Sequence, residues 1–85
     1  MRVDAGDNFF SPSDITVKLG MTVTWHNQGE GEVPHDVLAK DGSFQSGSFL
    51  HGDAFSYTFT RTGRYEYVCT YHIQEGMVGV ISVLP

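Results

Sequence analysis

Cys69, His72 and Met77 stand within nine residues of one another, in the run Cys69-Thr70-Tyr71-His72-Ile73-Gln74-Glu75-Gly76-Met77. A thiolate, an imidazole and a thioether on one short segment form a donor set that suits copper, because sulfur favours Cu(I) while imidazole serves both oxidation states. A second imidazole would complete the site, and His35, placed behind the conformationally fixed Pro34, is the candidate. Zinc competes for any Cys/His cluster, but structural zinc sites use paired cysteines or Cys2His2 spacings and do not recruit methionine. A dinuclear CuA centre would need two cysteines, and Cys69 is the only one. A Cys-His nucleophile pair backed by Asp36 would suit a thiol hydrolase. Against it stand the small chain and the lack of a recognisable oxyanion-hole motif. Taken singly, a buried cysteine is usually a small hydrophobe and a methionine core filler. The four donors together carry the inference. His26 and His51 are not expected to touch metal: His26 faces away from Trp25 on its strand, and His51 sits in a turn beside Gly52.

Four donors so far apart in the chain must be gathered by a scaffold, and the patterning describes it. Ile15, Val17 and Leu19 alternate with polar residues, as do Val23 and Trp25, then Phe55, Tyr57 and Phe59, then Tyr65, Tyr67 and Cys69. Val78 to Leu84 is nearly continuous in apolar residues. Period-two runs are strands with one face on a core, and their turn signals (Leu19-Gly20, Asp41-Gly42, His51-Gly52-Asp53, Thr62-Gly63) predict an all-β two-sheet sandwich. The glycine-rich stretch from Asn27 to Pro34 reads as a long loop delivering His35. In residues 40–54 a short helical turn is allowed. Trp25 and the tyrosines are expected in the core rather than as electron relays.

The 85 residues are enough for one core, and nothing approaches the roughly 18 consecutive apolar residues that span a bilayer. Five basic against ten acidic side chains give a net charge of −5, which argues against nucleic acid as partner and for a cationic one. With one cysteine there is no internal disulfide, so metal binding or a well-packed β core must hold this small domain together.

Over nearly its whole length the chain resembles the blue copper proteins, the cupredoxins, and within them the plastocyanin- and halocyanin-like group. The opening, Asn8-Phe9-Phe10-Ser11-Pro12, then Ile15-Thr16-Val17, Gly20, Val23-Thr24-Trp25 and Asn27, is similar to the family's first strands. Phe44-Gln45-Ser46-Gly47 and Phe55 to Phe59 resemble its central hairpin, and Gly63 to Cys69 its ligand strand. The Cys-x2-His-x4-Met spacing, with Gly76 before Met77, matches the plastocyanin loop. Amicyanin-like loops are two residues shorter. Departures are Asp36 where Asn often follows the first histidine, and Tyr71 where proline is frequent. Ile73 and Gln74 replace the usual small residues.

The resemblance implies a single plastocyanin-like domain over residues 1–85, a cupredoxin-like Greek-key β-sandwich of seven to eight strands. It implies one type 1 copper ion held by His35, Cys69 and His72 with Met77 as the weak axial ligand. The implied function is one-electron transfer through Cu(I)/Cu(II), with no catalysis and no small-molecule substrate. His72 is then the exit for the electron, in an apolar patch made by Pro34, Ile73 and Gly76. Partners are expected to be cationic redox proteins, a cytochrome or an oxidase domain, steered by a negative rim of Glu30, Glu32 and Glu75. The carrier is expected to be a monomer in a periplasmic or cell-surface setting, with no membrane anchor in these residues. A copper storage or delivery module, or a domain excised from a larger oxidase, remains the alternative. The Asp36 carboxylate is expected to accept hydrogen bonds from the Thr70 hydroxyl or backbone and, by its charge, to favour Cu(II).

Overall fold

The computed structural model describes residues 1–29 and 34–85. Eight strands lie among them: β1 (Arg2–Ala5), β2 (Phe10–Ser11), β3 (Asp14–Lys18), β4 (Thr22–Asn27), β5 (Leu38–Ala39), β6 (Ala54–Thr58), β7 (Gly63–Val68) and β8 (Val78–Leu84). They form two four-stranded sheets, ordered β2-β1-β4-β6 and β3-β8-β7-β5. The expected all-β sandwich is therefore the architecture, and its strand count falls within the expected range.

Side-chain alternation decides which face of each strand turns inward. Ile15 and Val17 of β3, Val23, Trp25 and Asn27 of β4, and Ile81 and Val83 of β8 are buried, with more exposed residues between them. Tyr67 and Cys69 continue the inward face of β7. Trp25 is the hub of the core, with ring centroids 5.4 Å from Tyr67, 5.6 Å from Phe55 and 5.8 Å from Phe44. Tyr67 also meets Phe10 edge to face at 4.8 Å, a geometry favoured by the ring quadrupoles. Burial pushes the Tyr67 phenol up to about 12, against a smaller downward pull from the Trp25 indole N–H.

β1 runs parallel to β4, β3 runs parallel to β8, and β7 pairs antiparallel with β8. The C-terminal ends of β1, β4 and β7 and the N-terminal ends of β3, β6 and β8 thus meet at one end of the sandwich. Both ligand-bearing loops open there. The register Tyr67↔Gly79 and Val68↔Val78 brings Cys69 and Met77 side by side, and the Cys69 amide donates to the Met77 carbonyl at 3.0 Å.

Two sequence readings need correction. Residues 40–54 hold no helical turn; they carry turns and two isolated bridges, His35↔Phe49 and Leu38↔Gln45. Helical geometry occurs instead as a single 3-10 turn at Ile73–Glu75, inside the ligand loop. The segments at Phe44 and Phe55 do not pair as a hairpin, because β6 lies against β4 while Gln45 bridges Leu38.

Candidate metal centre

Cys69 ends an inward-facing run and is fully buried, as are His35 and Met77, while His72 is half-buried. His35 is fixed by backbone pairing with Phe49, its amide donating to the Phe49 carbonyl at 3.0 Å and its carbonyl accepting from the Phe49 amide at 2.9 Å. The ligand loop folds on itself. The His72 amide donates to the Cys69 carbonyl at 3.2 Å and the Met77 amide to the His72 carbonyl at 3.2 Å. Gly76 closes the 3-10 turn at φ 82°, a left-handed conformation that a side chain would oppose.

The donor atoms converge. Cys69 Sγ lies 3.7 Å from His35 Nδ1 and 3.7 Å from His72 Nδ1, and the three ligand atoms all lie within 4.8 Å of one another. Bonds of about 2.3 Å to thiolate and about 2.0–2.1 Å to imidazole, as around a divalent ion such as zinc, separate sulfur and nitrogen by about 3.5–3.8 Å between tetrahedral and trigonal angles. Both sulfur–nitrogen separations therefore match those around one bound ion. Thiolate with two imidazoles, and a buried methionine on the same loop, is the set that selects copper over harder ions.

Burial pushes the His35 imidazole below its ordinary value, His72 adds to this, and Asp7 and Asp36 pull the other way. A neutral ring keeps its lone pair for a metal. Burial pushes the Cys69 thiol up, hydrogen bonds from the backbone of Asp36, Tyr71 and His72 oppose this, and the Asp36 charge adds a smaller upward push. The metal-free site is thus a neutral thiol beside a neutral imidazole, and metal binding must expel the thiol proton.

Asp36 joins the two halves as expected. Its Oδ1 accepts from the Thr70 amide at 2.6 Å and its Oδ2 from the Thr70 hydroxyl at 2.7 Å. Both expected donors are used at once, so the carboxylate ties the residue after His35 to the residue after Cys69. Two further contributors escaped the sequence reading. Asn27 is buried, donates from Nδ2 to the Phe49 carbonyl at 2.9 Å and accepts from the Gly29 amide at 2.9 Å. A polar residue in register with the inward-facing Val23 and Trp25 was the available signal. Ser48 hydrogen-bonds the Tyr71 hydroxyl, and nothing local to Ser48 in the sequence announced that. His26 is half-buried on the outer face of β4, opposite Asp4 and Ala54, and His51 Nδ1 contacts the Gly29 carbonyl at 2.7 Å. Neither joins the donor cluster.

The sequence pattern of the copper binding proteins, plastocyanin/azurin family, matches residues 1–84. The chain belongs to this family. Plastocyanin of Scenedesmus fuscus is 36% identical over 92 residues, covering 98% of this chain and 94% of that protein. Halocyanin of Natronomonas pharaonis is 37% identical over 84 residues, covering 93% of this chain and 52% of that one. The chain spans 52–63% of the length of the halocyanin and of four chloroplastic plastocyanins. Among solved structures, a purple cupredoxin from Nitrosopumilus maritimus superposes with a TM-score of 0.83 at 28% identity, covering 96% of this chain and 97% of that one.

As in its sequence, this plastocyanin/azurin-family chain is polar in charge. The donor end carries Asp7 after β1, Asp14 at the start of β3, Asp53 before β6 and Glu75 in the 3-10 turn. The basic residues Arg2, Lys18, Arg61 and Arg64 lie toward the opposite end, and Lys40 pairs with Glu66 midway along β7 at 4.0 Å. Glu30 and Glu32, expected in the negative rim, lie outside the described residues, as does most of the loop before Pro34. On either side of His72 in the loop, Tyr71 is 49% and Ile73 50% exposed, and Pro34 is half-buried.

Proposed function

We propose that residues 1–85 form one type 1 copper domain that carries single electrons between redox proteins, with His35, Cys69 and His72 as near-trigonal ligands and Met77 as the weak axial one. The observation that carries this reading is the convergence of Cys69 Sγ on two imidazole nitrogens at 3.7 Å each. When bound, copper supplies the Cu(II)/Cu(I) couple. The chain's contribution is to hold the donors by Phe49, Asp36 and the folded loop, so that a change of charge requires little movement of His35, Cys69 or Met77. His72, the ligand nearest solvent, provides the short route out, and its apolar surround suits the small transient contacts of redox encounters. Adding Cu(II) to the metal-free protein tests the reading: an intense thiolate-to-copper band in the visible is expected, and a weak ligand-field spectrum alone would refute it.

The Asp36 charge should stabilise the oxidised site. Across several ångströms, at an effective dielectric near 20, a unit charge is worth a few kcal/mol before solvation reduces it, so Asp36→Asn should raise the reduction potential by on the order of 50–100 mV. The amide can keep one acceptor for the Thr70 N–H and donate to the Thr70 hydroxyl, leaving the tie in place. Voltammetry of both proteins is the check, and an unchanged or lower potential would remove Asp36 from this role.

The acidic donor end supports a cationic partner. Raising ionic strength from 0.01 to 0.15 M shortens the Debye length from about 30 to about 8 Å and should slow the second-order reaction with a cationic redox protein several-fold. A flat salt dependence would exclude steering. Monomeric action in an extracytoplasmic compartment completes the proposal, by extension from the plastocyanin and halocyanin relatives.

A further inference from the structure

Metal must enter and leave the site past some ligand, and burial identifies which. His35, Cys69 and Met77 are fully buried, and His72 alone of the four candidate ligands is half-buried. Lifting the loop that carries His72 would open the site on its least buried side. Among the described residues, two side-chain ties hold that loop to the part of the chain that fixes His35. One is the buried Asp36–Thr70 contact at the root of the loop. The other lies at the residue adjoining His72: the Tyr71 hydroxyl hydrogen-bonds Ser48 Oγ, 23 residues away in sequence. Ser48 adjoins Phe49, whose backbone pairs with His35 on both sides and whose carbonyl also accepts from Asn27. The Tyr71–Ser48 bond thus joins the neighbour of the half-buried ligand to the support of the buried one. Tyr71 is about half in solvent, and its hydroxyl bond to Ser48 crosses from the ligand loop to the segment that supports His35.

We propose that Tyr71 and Ser48 are positioning residues that clasp the ligand loop shut and set the rate at which copper leaves the site. The inference rests on His72 being a ligand. Losing one exposed hydrogen bond should favour the lifted loop roughly three- to ten-fold.

Four variants test this. Cu(I)-loaded Tyr71→Phe and Ser48→Ala proteins should each release metal to a Cu(I)-specific chelator roughly three- to ten-fold faster than the parent. The double variant should be no faster than either alone, because both remove one bond, and Ser48→Thr, which keeps the hydroxyl, should restore slow release. In the metal-free protein, the amides of His72 and Met77 should exchange with solvent faster by the same factor in Tyr71→Phe, with the thermal midpoint lowered by several degrees. Unaltered release and exchange in both single variants, or additive effects in the double, would overturn the clasp. A parent protein that gives no charge-transfer band with Cu(II) would overturn the ligand reading, while amide exchange of the metal-free variants would still score the clasp by itself.

Discussion

Cys69→Ser is expected to remove the visible charge-transfer band completely and to weaken copper binding by on the order of a thousand-fold, a loss of about 4 kcal/mol. The sulfur sits at the meeting point of the donor set, 3.7 Å from each imidazole nitrogen and wholly shielded from water. A serine oxygen is harder, stays protonated where a thiol would yield its proton to the metal, and has no sulfur orbital from which charge can move into copper. Two imidazoles and a thioether remain, which can still hold Cu(I) weakly. The fold should survive, since serine is slightly smaller than cysteine and its hydroxyl can accept from the backbone of Asp36, Tyr71 or His72, which already hydrogen-bond the sulfur. Circular dichroism should therefore match the parent while the spectrum does not. A retained intense band would mean that some other group is the chromophore, and no other cysteine exists to be that group.

Much of this arrangement was legible before any coordinates. The strands that period-two patterning identified, through Val17, Trp25, Tyr57 and Tyr67, all exist, because in each the inward side chains are large and the outward ones mostly polar, and the apolar run through Ile81 is a strand as well. β1 was not: four residues with Val3 and Ala5 inward are too few to show a period, and its parallel pairing with β4 is a tertiary choice. The local turn in residues 40–54 failed for a similar reason. Those residues satisfy their backbone through long-range bonds, such as Ser46 to Val37 and Phe49 to His35, that no local pattern encodes. At the site, Cys69, His72 and Met77 declared themselves by spacing, and the Asp36–Thr70 tie followed from the resemblance. Ser48 and Asn27 reach the site through partners 22 or 23 residues distant, so their roles became visible only when the two halves of the site were seen together.

Gly79→Ala should be the most damaging single methyl in the chain. Gly79 faces Tyr67 across the β7–β8 ladder, and a Cβ there would lie 2.7 Å from Tyr67 Cε1 and closer still to Cζ and the hydroxyl. The ring cannot swing clear, because Phe10 holds it at 4.8 Å on one side and Trp25 at 5.4 Å on another. Alanine suits a strand slightly better than glycine, but only by tenths of a kcal/mol, whereas overpacking a closed core costs about 1–3 kcal/mol. For a chain of this size that range corresponds to a fall in Tm of roughly 5–20 °C. The damage also reaches the site. The next pair along the ladder is Val68↔Val78, and beyond it the Cys69 amide donates to the Met77 carbonyl. Forcing the strands apart at Tyr67 loosens the contact that sets the thiolate beside the thioether. Copper affinity should fall along with Tm, and Tyr67→Leu in the Gly79→Ala background should recover part of both by clearing the ring from the path of the methyl. Melting curves and copper titrations of the three proteins provide the measurement. A Gly79→Ala midpoint within about 2 °C of the parent, which this size scaling equates to well under 1 kcal/mol, would show that the Tyr67 pocket yields and that the ladder does not hold the ligand loop rigidly.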